Sequence, residues 1–352
     1  MSKTILHILN TGSYSGAENV VITIIESFRK FGYSDINFVY VSLDGSIRDV
    51  LKEKKIKFES IKNMSLSGVT KVIQKYSPDI IHAHDFTASI ICAAVAGKIP
   101  VISHIHNNSP WIKKYCINSF VYGLSCLKYK VILGVSNSVF DEYVFGKYIK
   151  NKAKVIGNPI DIQAIHKKAD IAEDKSSYDI VFLGRLSEPK NPIGFVDIIE
   201  MVAERVPDIT AVMIGAGELE SEVSNRICKK KLNNNIIMKG FMSNPYGVLK
   251  ASKILCMPSK WEGYGLAAVE ALALGKPVVA APVGGLPNIL TEGGTLCTSN
   301  ETFLSEIVNF ITNAEYYHNI SEQAEARAIK LNNVHDYALG INTIYNDLYN
   351  II

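Results

Sequence analysis

Short apolar runs alternate along the chain with stretches whose apolar positions recur every three or four residues. The first kind reads as buried strand and the second as amphipathic helix, and their alternation is the signature of a parallel sheet covered by helices. In the first half the predicted strands are Thr4–Leu9, Ile36–Val41, Ile80–Ala83, Val101–His104 and Val131–Val135. The spacing of Val20, Val21, Ile24, Ile25 and Phe28 predicts a helix over Gly16–Lys30, with Gly32 as its stop. Between 157 and 178 the rhythm lapses into Gly-Asn-Pro and a polar run (Lys167, Lys168, Asp170, Glu173, Asp174, Lys175), which reads as a linker. It restarts at Asp179–Gly184, and Asn191 and Pro192 signal a helix running to about Arg205. Further strands are predicted at Ala211–Ile214, Ile236–Met238, Ile254–Met257 and Pro277–Ala281, and a last helix from His335 to Ile352. The expected fold class is α/β, with two doubly wound domains: 1–162 together with 335–352, and 178–334. Such sheets bind ligands at the C-terminal ends of their strands, and the expected place here is a cleft between the domains.

Composition narrows the class. The 352 residues are 47% hydrophobic and 20% charged, enough to bury two cores. No run reaches the roughly 18 apolar residues of a membrane span, and the N-terminus lacks a signal peptide's apolar core and cleavage site. Six scattered cysteines with no Cys-x-x-Cys pair argue against disulfides or zinc and fit a reducing cytoplasm. Residues 1–160 hold 20 Lys/Arg against 11 Asp/Glu, whereas 161–352 hold 17 against 23. The basic half is expected to face an anionic surface or a lipid-phosphate acceptor. Within it, Trp111 to Lys130 mixes aromatics with Lys113, Lys114, Lys128 and Lys130. That mixture reads as a helix lying on an anionic bilayer, with an internal aromatic helix as the competing reading.

The most specific segment runs from Ser259 to Glu270. Pro258, Gly263 and Gly265 make a tight turn after a strand, and a helix starts at Leu266. Its free N–H groups form an anion site, while Glu262 and Glu270 can each grip a vicinal diol. A second element is Gly184-Arg185-Leu-Ser-Glu-Pro-Lys190, where two cations leave a strand beside a helix start and form a diphosphate clamp. No Asp-x-Asp occurs, so no metal and no other cofactor is expected. Gly12 and Gly16 do not meet the dinucleotide-binding spacing, which argues against a dehydrogenase.

These motifs, with Gly215-Ala-Gly-Glu218, resemble the retaining glycosyltransferases of family 4, which have the GT-B fold. The N-terminal Ser15-Gly16-Ala17-Glu18 is similar to the family's glycine-rich turn against the donor diphosphate, with a serine in place of its first glycine. Gly157-Asn-Pro-Ile-Asp161 resembles the segment that closes the first domain, and the last helix the one that crosses back onto it. The resemblance implies that Arg185 and Lys190 hold the diphosphate, and that Glu262 holds donor-sugar hydroxyls with the N–H groups of Tyr264, Gly265 and Leu266. It implies that Glu270 holds the ribose, that Gly240, Phe241 and Met242 line the base pocket, and that His106 lies near the reacting sugar. His104, two residues earlier, is expected to point the opposite way and serve structure, while His84 and Asp85 are candidates for binding acceptor.

The implied activity is metal-independent, retaining transfer of a hexose, from a UDP-sugar by preference, to a lipid-linked or oligosaccharide acceptor in bacterial surface polysaccharide synthesis. The expected location is the cytoplasm, at the inner face of the membrane, with no nucleic acid partner. The alternatives are a sugar-nucleotide epimerase of the same architecture, which would lack the Glu262 and Glu270 arrangement, and a nucleotide-sugar-binding protein without turnover.

Overall fold

The computed structural model describes residues 3–13, 16–33 and 35–350. The chain divides into two compact units, Met1–Pro159 with Asn333–Ile352, and Ile160–Asn332. In the first, seven strands form a parallel sheet: β1 (Lys3–Ile8), β2 (Ile36–Leu43), β3 (Phe58–Ile61), β4 (Ile80–His84), β5 (Val101–Ile105), β6 (Val131–Gly134) and β7 (Ala153–Val155). Their spatial order is β3-β2-β1-β4-β5-β6-β7. β1, β4 and β5 are buried over most or all of their length, as their unbroken apolar character requires. The helix Gly16–Lys30 has the expected bounds, and Gly32 follows it at φ +79°. The last helix spans Val334–Tyr349 and packs on the first unit through Tyr337, Ala338, Ile341, Ile344 and Tyr345.

The second unit holds six parallel strands: β8 (Ile180–Leu183), β9 (Ala211–Ile214), β10 (Ile236–Gly240), β11 (Ile254–Met257), β12 (Val278–Ala280) and β13 (Gly294–Leu296). Their order is β10-β9-β8-β11-β12-β13. Both sheets therefore reverse their winding once, between β1 and β4 in the first unit and between β8 and β11 in the second. Loops that leave the C-terminal ends of two such strands diverge and open a crevice.

Part of the stretch expected to be a linker is helical. Asp161 caps the helix Ile162–Asp170 by accepting from the Ala164 N–H at 3.0 Å, and Ile165 and Ala169 pack into the second unit's core. Lys167 and Lys168 belong to its polar face, and a polar face read along the sequence resembles a break. All six cysteines are free thiols, and among the described residues no helix is long and apolar enough to cross a membrane.

Candidate active site

In the second unit the crevice is framed by the loop after β8 and the loop after β11. Ser187 opens a short turn over Glu188–Lys190, and Asn191 adopts a left-handed conformation (φ 53°) to start the helix Pro192–Ala203. Its side chain accepts from the Gly194 N–H (3.2 Å) and donates to the Pro258 carbonyl (3.0 Å), while the Lys260 N–H donates to the Pro189 carbonyl (2.8 Å). The last two bonds fix one loop against the other. Lys190 Nζ donates to Glu262 Oε1 at 2.5 Å, and Ser259 Oγ donates to the same oxygen at 3.0 Å. Glu262 is 6% exposed, and its partner is partly buried. An ion pair in such a position sacrifices hydration that hydrogen bonds must replace; here one carboxylate oxygen takes both donors. Glu262 Oε2 and two ammonium protons of Lys190 have no other partner among the described residues and can serve a ligand.

Two glycines hold this loop. Gly265 has φ +101° and precedes the helix Leu266–Ala273. Gly284 (φ +57°) lies so close that a Cβ there would stand 1.8 Å from the Glu262 carbonyl oxygen. Arg185 is exposed and, among the described residues, forms no ion pair, so its guanidinium is available. Glu270 is partly buried on the helix, where burial pushes its carboxyl up and the Tyr246 hydroxyl, donating to Oε1 at 2.8 Å, draws it back. Tyr264 and Leu266 are partly buried, Gly240 ends β10 at φ +67°, and Phe241 is 61% exposed. All these residues belong to one unit.

Gly16 and His106 belong to the other. Gly16 is the exposed first residue of its helix, and Ser15 lies outside the described residues. His106 follows β5 and is buried. The expectation that His104 points away from it is wrong: residues two apart on a strand share a face, and the two rings lie 4.2 Å apart. His7, His82 and His84 join them on the same face. His106 Nε2 is 2.8 Å from His84 Nδ1, and His84 Nε2 is 2.9 Å from His7 Nδ1. His7 Nε2 lies 3.4 Å from the Tyr345 hydroxyl, which is 2.8 Å from His82 Nδ1, and His82 Nε2 is 3.2 Å from His104 Nδ1. The chain ends at His106 Nδ1 and His104 Nε2, both buried without a partner among the described residues. Burial, aided for most of them by mutual repulsion, holds all five imidazoles well below their ordinary range, His7 and His106 at about 3. Two triads, His7-His82-His84 and His84-His104-His106, bring ligand nitrogens within 4.8 Å. The hydrogen bonds just described occupy every nitrogen of the first triad, whereas the second keeps His104 Nε2 and His106 Nδ1 without a partner among the described residues.

At the mouth of the same strands a cavity of about 370 Å3 is lined by Thr11, Glu18, His84, Asp85, Asn107 and Trp111, among others. Asp85 has φ +60°, and its Oδ1 accepts from the His106 N–H at 3.0 Å. Burial, with Glu18 as a like charge nearby, pushes its carboxyl up to about 7. The sequence raised Asp85 only in passing and marked Asn191 only as a helix start; it offered no sign of the Asn191 bond to the Pro258 carbonyl, of the Ser259 bond to Glu262 or of the histidine chain, which exist only through strand register and loop contact.

Two family models match the chain, "Glycosyltransferase Family 4" over residues 14–164 and "Glycosyl transferases group 1" over 161–327. The chain belongs to the family 4 glycosyltransferases. It is 28% identical over 234 residues to an uncharacterised glycosyltransferase of Methanocaldococcus jannaschii, covering 60% of this chain and 57% of that one. It is also 28% identical over 247 residues to UDP-Gal:alpha-D-GlcNAc-diphosphoundecaprenol alpha-1,3-galactosyltransferase of Escherichia coli, covering 64% and 63%. The chain thus spans less than two thirds of the length of these two relatives. Among solved structures, Anabaena HepE with UDP and glucose superposes with a TM-score of 0.82 at 20% identity, over 98% of this chain and 100% of that one. A Staphylococcus aureus TarM variant superposes with a TM-score of 0.80 at 12% identity, over 99% of this chain and 100% of that one. The family's fold is GT-B, and the two units have its paired parallel sheets.

Proposed function

We propose that the chain transfers a hexose from a nucleotide-diphosphate sugar, with UDP-sugar preferred, to a lipid-linked or oligosaccharide acceptor, retaining the anomeric configuration. The observation that carries this reading is the Lys190–Glu262 pair at the reversal of the second sheet, where a cation and a carboxylate are locked 2.5 Å apart beside a helix start. In this reading Arg185 and Lys190 neutralise the diphosphate, so no metal is required. Glu262 takes donor-sugar hydroxyls, Glu270 the ribose diol, and the main chain at Gly240 and Phe241 the base. The family resemblance gives His106 its role toward the reacting sugar. As the acceptor hydroxyl attacks the anomeric carbon from the face the diphosphate leaves, the departing phosphate oxygen takes its proton. One C–O bond forms as another breaks, and charge grows on an oxygen that fixed cations already face. The Escherichia coli relative, whose name specifies a UDP-sugar donor and a diphosphoundecaprenol acceptor, supports the donor base and the lipid-linked acceptor.

The same reading places the enzyme at the inner face of the membrane. Tyr115, Ile117, Phe120, Leu124 and Leu127 are all more than half exposed, with Lys113, Lys114, Lys128 and Lys130 around them. A panel of nucleoside diphosphates and nucleotide sugars, screened by thermal shift with and without EDTA, tests the donor assignment. One uridine donor should raise the melting temperature equally in both conditions; stabilisation that EDTA abolishes, or none from any nucleotide, contradicts it.

A further inference from the structure

The five imidazoles and Tyr345 meet head to tail. At every link between two rings one contributes Nδ1 and the other Nε2: His106 Nε2 with His84 Nδ1, His84 Nε2 with His7 Nδ1, and His82 Nε2 with His104 Nδ1. Between His7 Nε2 and His82 Nδ1 stands the Tyr345 hydroxyl. A neutral imidazole carries one N–H and one lone pair, and a phenol donates once. Burial keeps all five rings neutral at pH 7. The six groups therefore bring six protons to five hydrogen bonds. While every bond stands, all five rings share one tautomer, either Nδ1–H or Nε2–H. One end of the array is then an N–H and the other a lone pair. Those ends, His104 Nε2 and His106 Nδ1, are buried without a partner among the described residues. A metal held by both would need two lone pairs, which the intact array cannot offer.

Tyr345 decides between the two forms. It is buried on the last helix, with its oxygen 2.8 Å from His82 Nδ1 and 3.4 Å from His7 Nε2. A hydroxyl donates over a shorter distance than an N–H does, so its proton belongs to the 2.8 Å contact. Donation to His82 Nδ1 puts the proton of His82 on Nε2 and, link by link, gives every ring the Nε2–H form. His106 then closes the array with a lone pair on Nδ1. Of the five rings it is the one that reaches the surface, 9% exposed against 1% or less for the others. Without the hydroxyl the array falls into two parts, His82 with His104 and His7 with His84 and His106, and each part is free to reverse its protons.

We propose that Tyr345 is a positioning residue, whose hydroxyl holds His106 in the Nε2–H tautomer through His7 and His84, so that the ring nearest the reacting sugar keeps Nδ1 as an acceptor. The inference rests on the transferase reading, which gives His106 its place near that sugar. It adds a part for a side chain of the last helix that acts only through other side chains. The tautomer of a histidine is set by what its second nitrogen touches, and here that influence is passed along three rings.

The test uses the full chain with nitrogen-15 histidine. His166, His318 and His335 lie outside the array, and changing each to glutamine leaves only its five rings labelled. Two-bond proton–nitrogen correlation spectra at pH 7.5 should show every ring in the Nε2–H form. In Tyr345→Phe, rings of the Nδ1–H form should appear, while UDP affinity, measured by calorimetry, should be unchanged. The kcat of Tyr345→Phe with the preferred nucleotide sugar should fall about tenfold, less than a wholly wrong tautomer costs, because the array is split and not inverted. The spectrum of the protein that keeps Tyr345 needs no change at that position, so it decides the tautomer even if Tyr345→Phe fails to fold. An Nδ1–H ring in that spectrum, Tyr345→Phe spectra without new tautomers, or new tautomers with kcat unchanged would each overturn the proposal. Five Nε2–H rings in a chain that binds no nucleotide would leave the array standing and remove the transferase reading, and the positioning role with it.

Discussion

Five histidines share one face of three adjacent strands, and at residue scale they dominate the first unit's response to acid. Each has a folded pKa far below the roughly 6.5 of an unfolded imidazole. Between those values the unfolded chain binds protons that the folded one refuses, so the stability they provide is complete above about pH 6.5 and is lost as pH falls. The loss approaches about 1.4 kcal/mol per pH unit for each group. Asp85 acts in the opposite sense: its raised pKa contributes stability that is full below about 3.9 and lost as pH rises through about 7. One such group cannot offset five. Urea denaturation followed through Trp111 in the Trp261→Phe background should show a midpoint several times more acid-sensitive between pH 7.5 and 5.5 than one histidine would give. An unchanged midpoint would mean that these rings are not buried and neutral. The residues behind this effect were legible singly, but the chain was not, because strand register decides that His7 lies level with His82, and His84 with His104. Lys190 and Glu262, by contrast, announced themselves through turn and helix-start residues that stand in the sequence itself.

At the scale of elements, the helix Ile117–Ser125 is inverted. An isolated amphipathic helix on a protein buries its apolar stripe, yet here Ser119 and Tyr122 face inward while Ile117, Phe120, Val121 and Leu124 face out. Their spacing makes a single outward stripe flanked by lysines. The helix is shorter than the Trp111 to Lys130 stretch suggested, because Pro110–Lys113 forms a separate turn and the chain leaves helix after Ser125. Neutralising Lys113, Lys114, Lys128 and Lys130 should weaken cosedimentation with vesicles of anionic lipid by tenfold or more, since each lysine near such a surface contributes about 1 kcal/mol. Equal binding by the quadruple variant, or equal binding to neutral vesicles, would contradict membrane docking. The strands that sequence reasoning missed share one property. β3, β7 and β13 are edge strands of three or four residues, and two of them carry a charged residue mid-strand. An edge strand needs no continuous apolar run and advertises none.

At the scale of the molecule, the decisive feature is that each sheet reverses its winding once and that candidate functional side chains cluster at both reversals. Alternating apolar runs were enough to predict two parallel sheets, since buried strands and amphipathic helices leave different periods. Strand order was not readable from them, and neither was the crevice that the order creates. The reversal between β8 and β11 explains why residues 72 positions apart in sequence form one ion pair. It also explains why the loops that carry them are bonded to each other through Asn191 and Pro189. The central claim is that Lys190, held in place by Glu262, and Arg185 neutralise a departing diphosphate. Steady-state kinetics with the preferred nucleotide sugar tests it most directly, comparing the unsubstituted enzyme with Lys190→Ala and Glu270→Ala. Lys190→Ala should lower kcat by about 100- to 1,000-fold, the loss that follows removal of one group stabilising a developing oxyanion, while Glu270→Ala should mainly raise the donor KM. Unchanged kinetics in both variants would contradict the account.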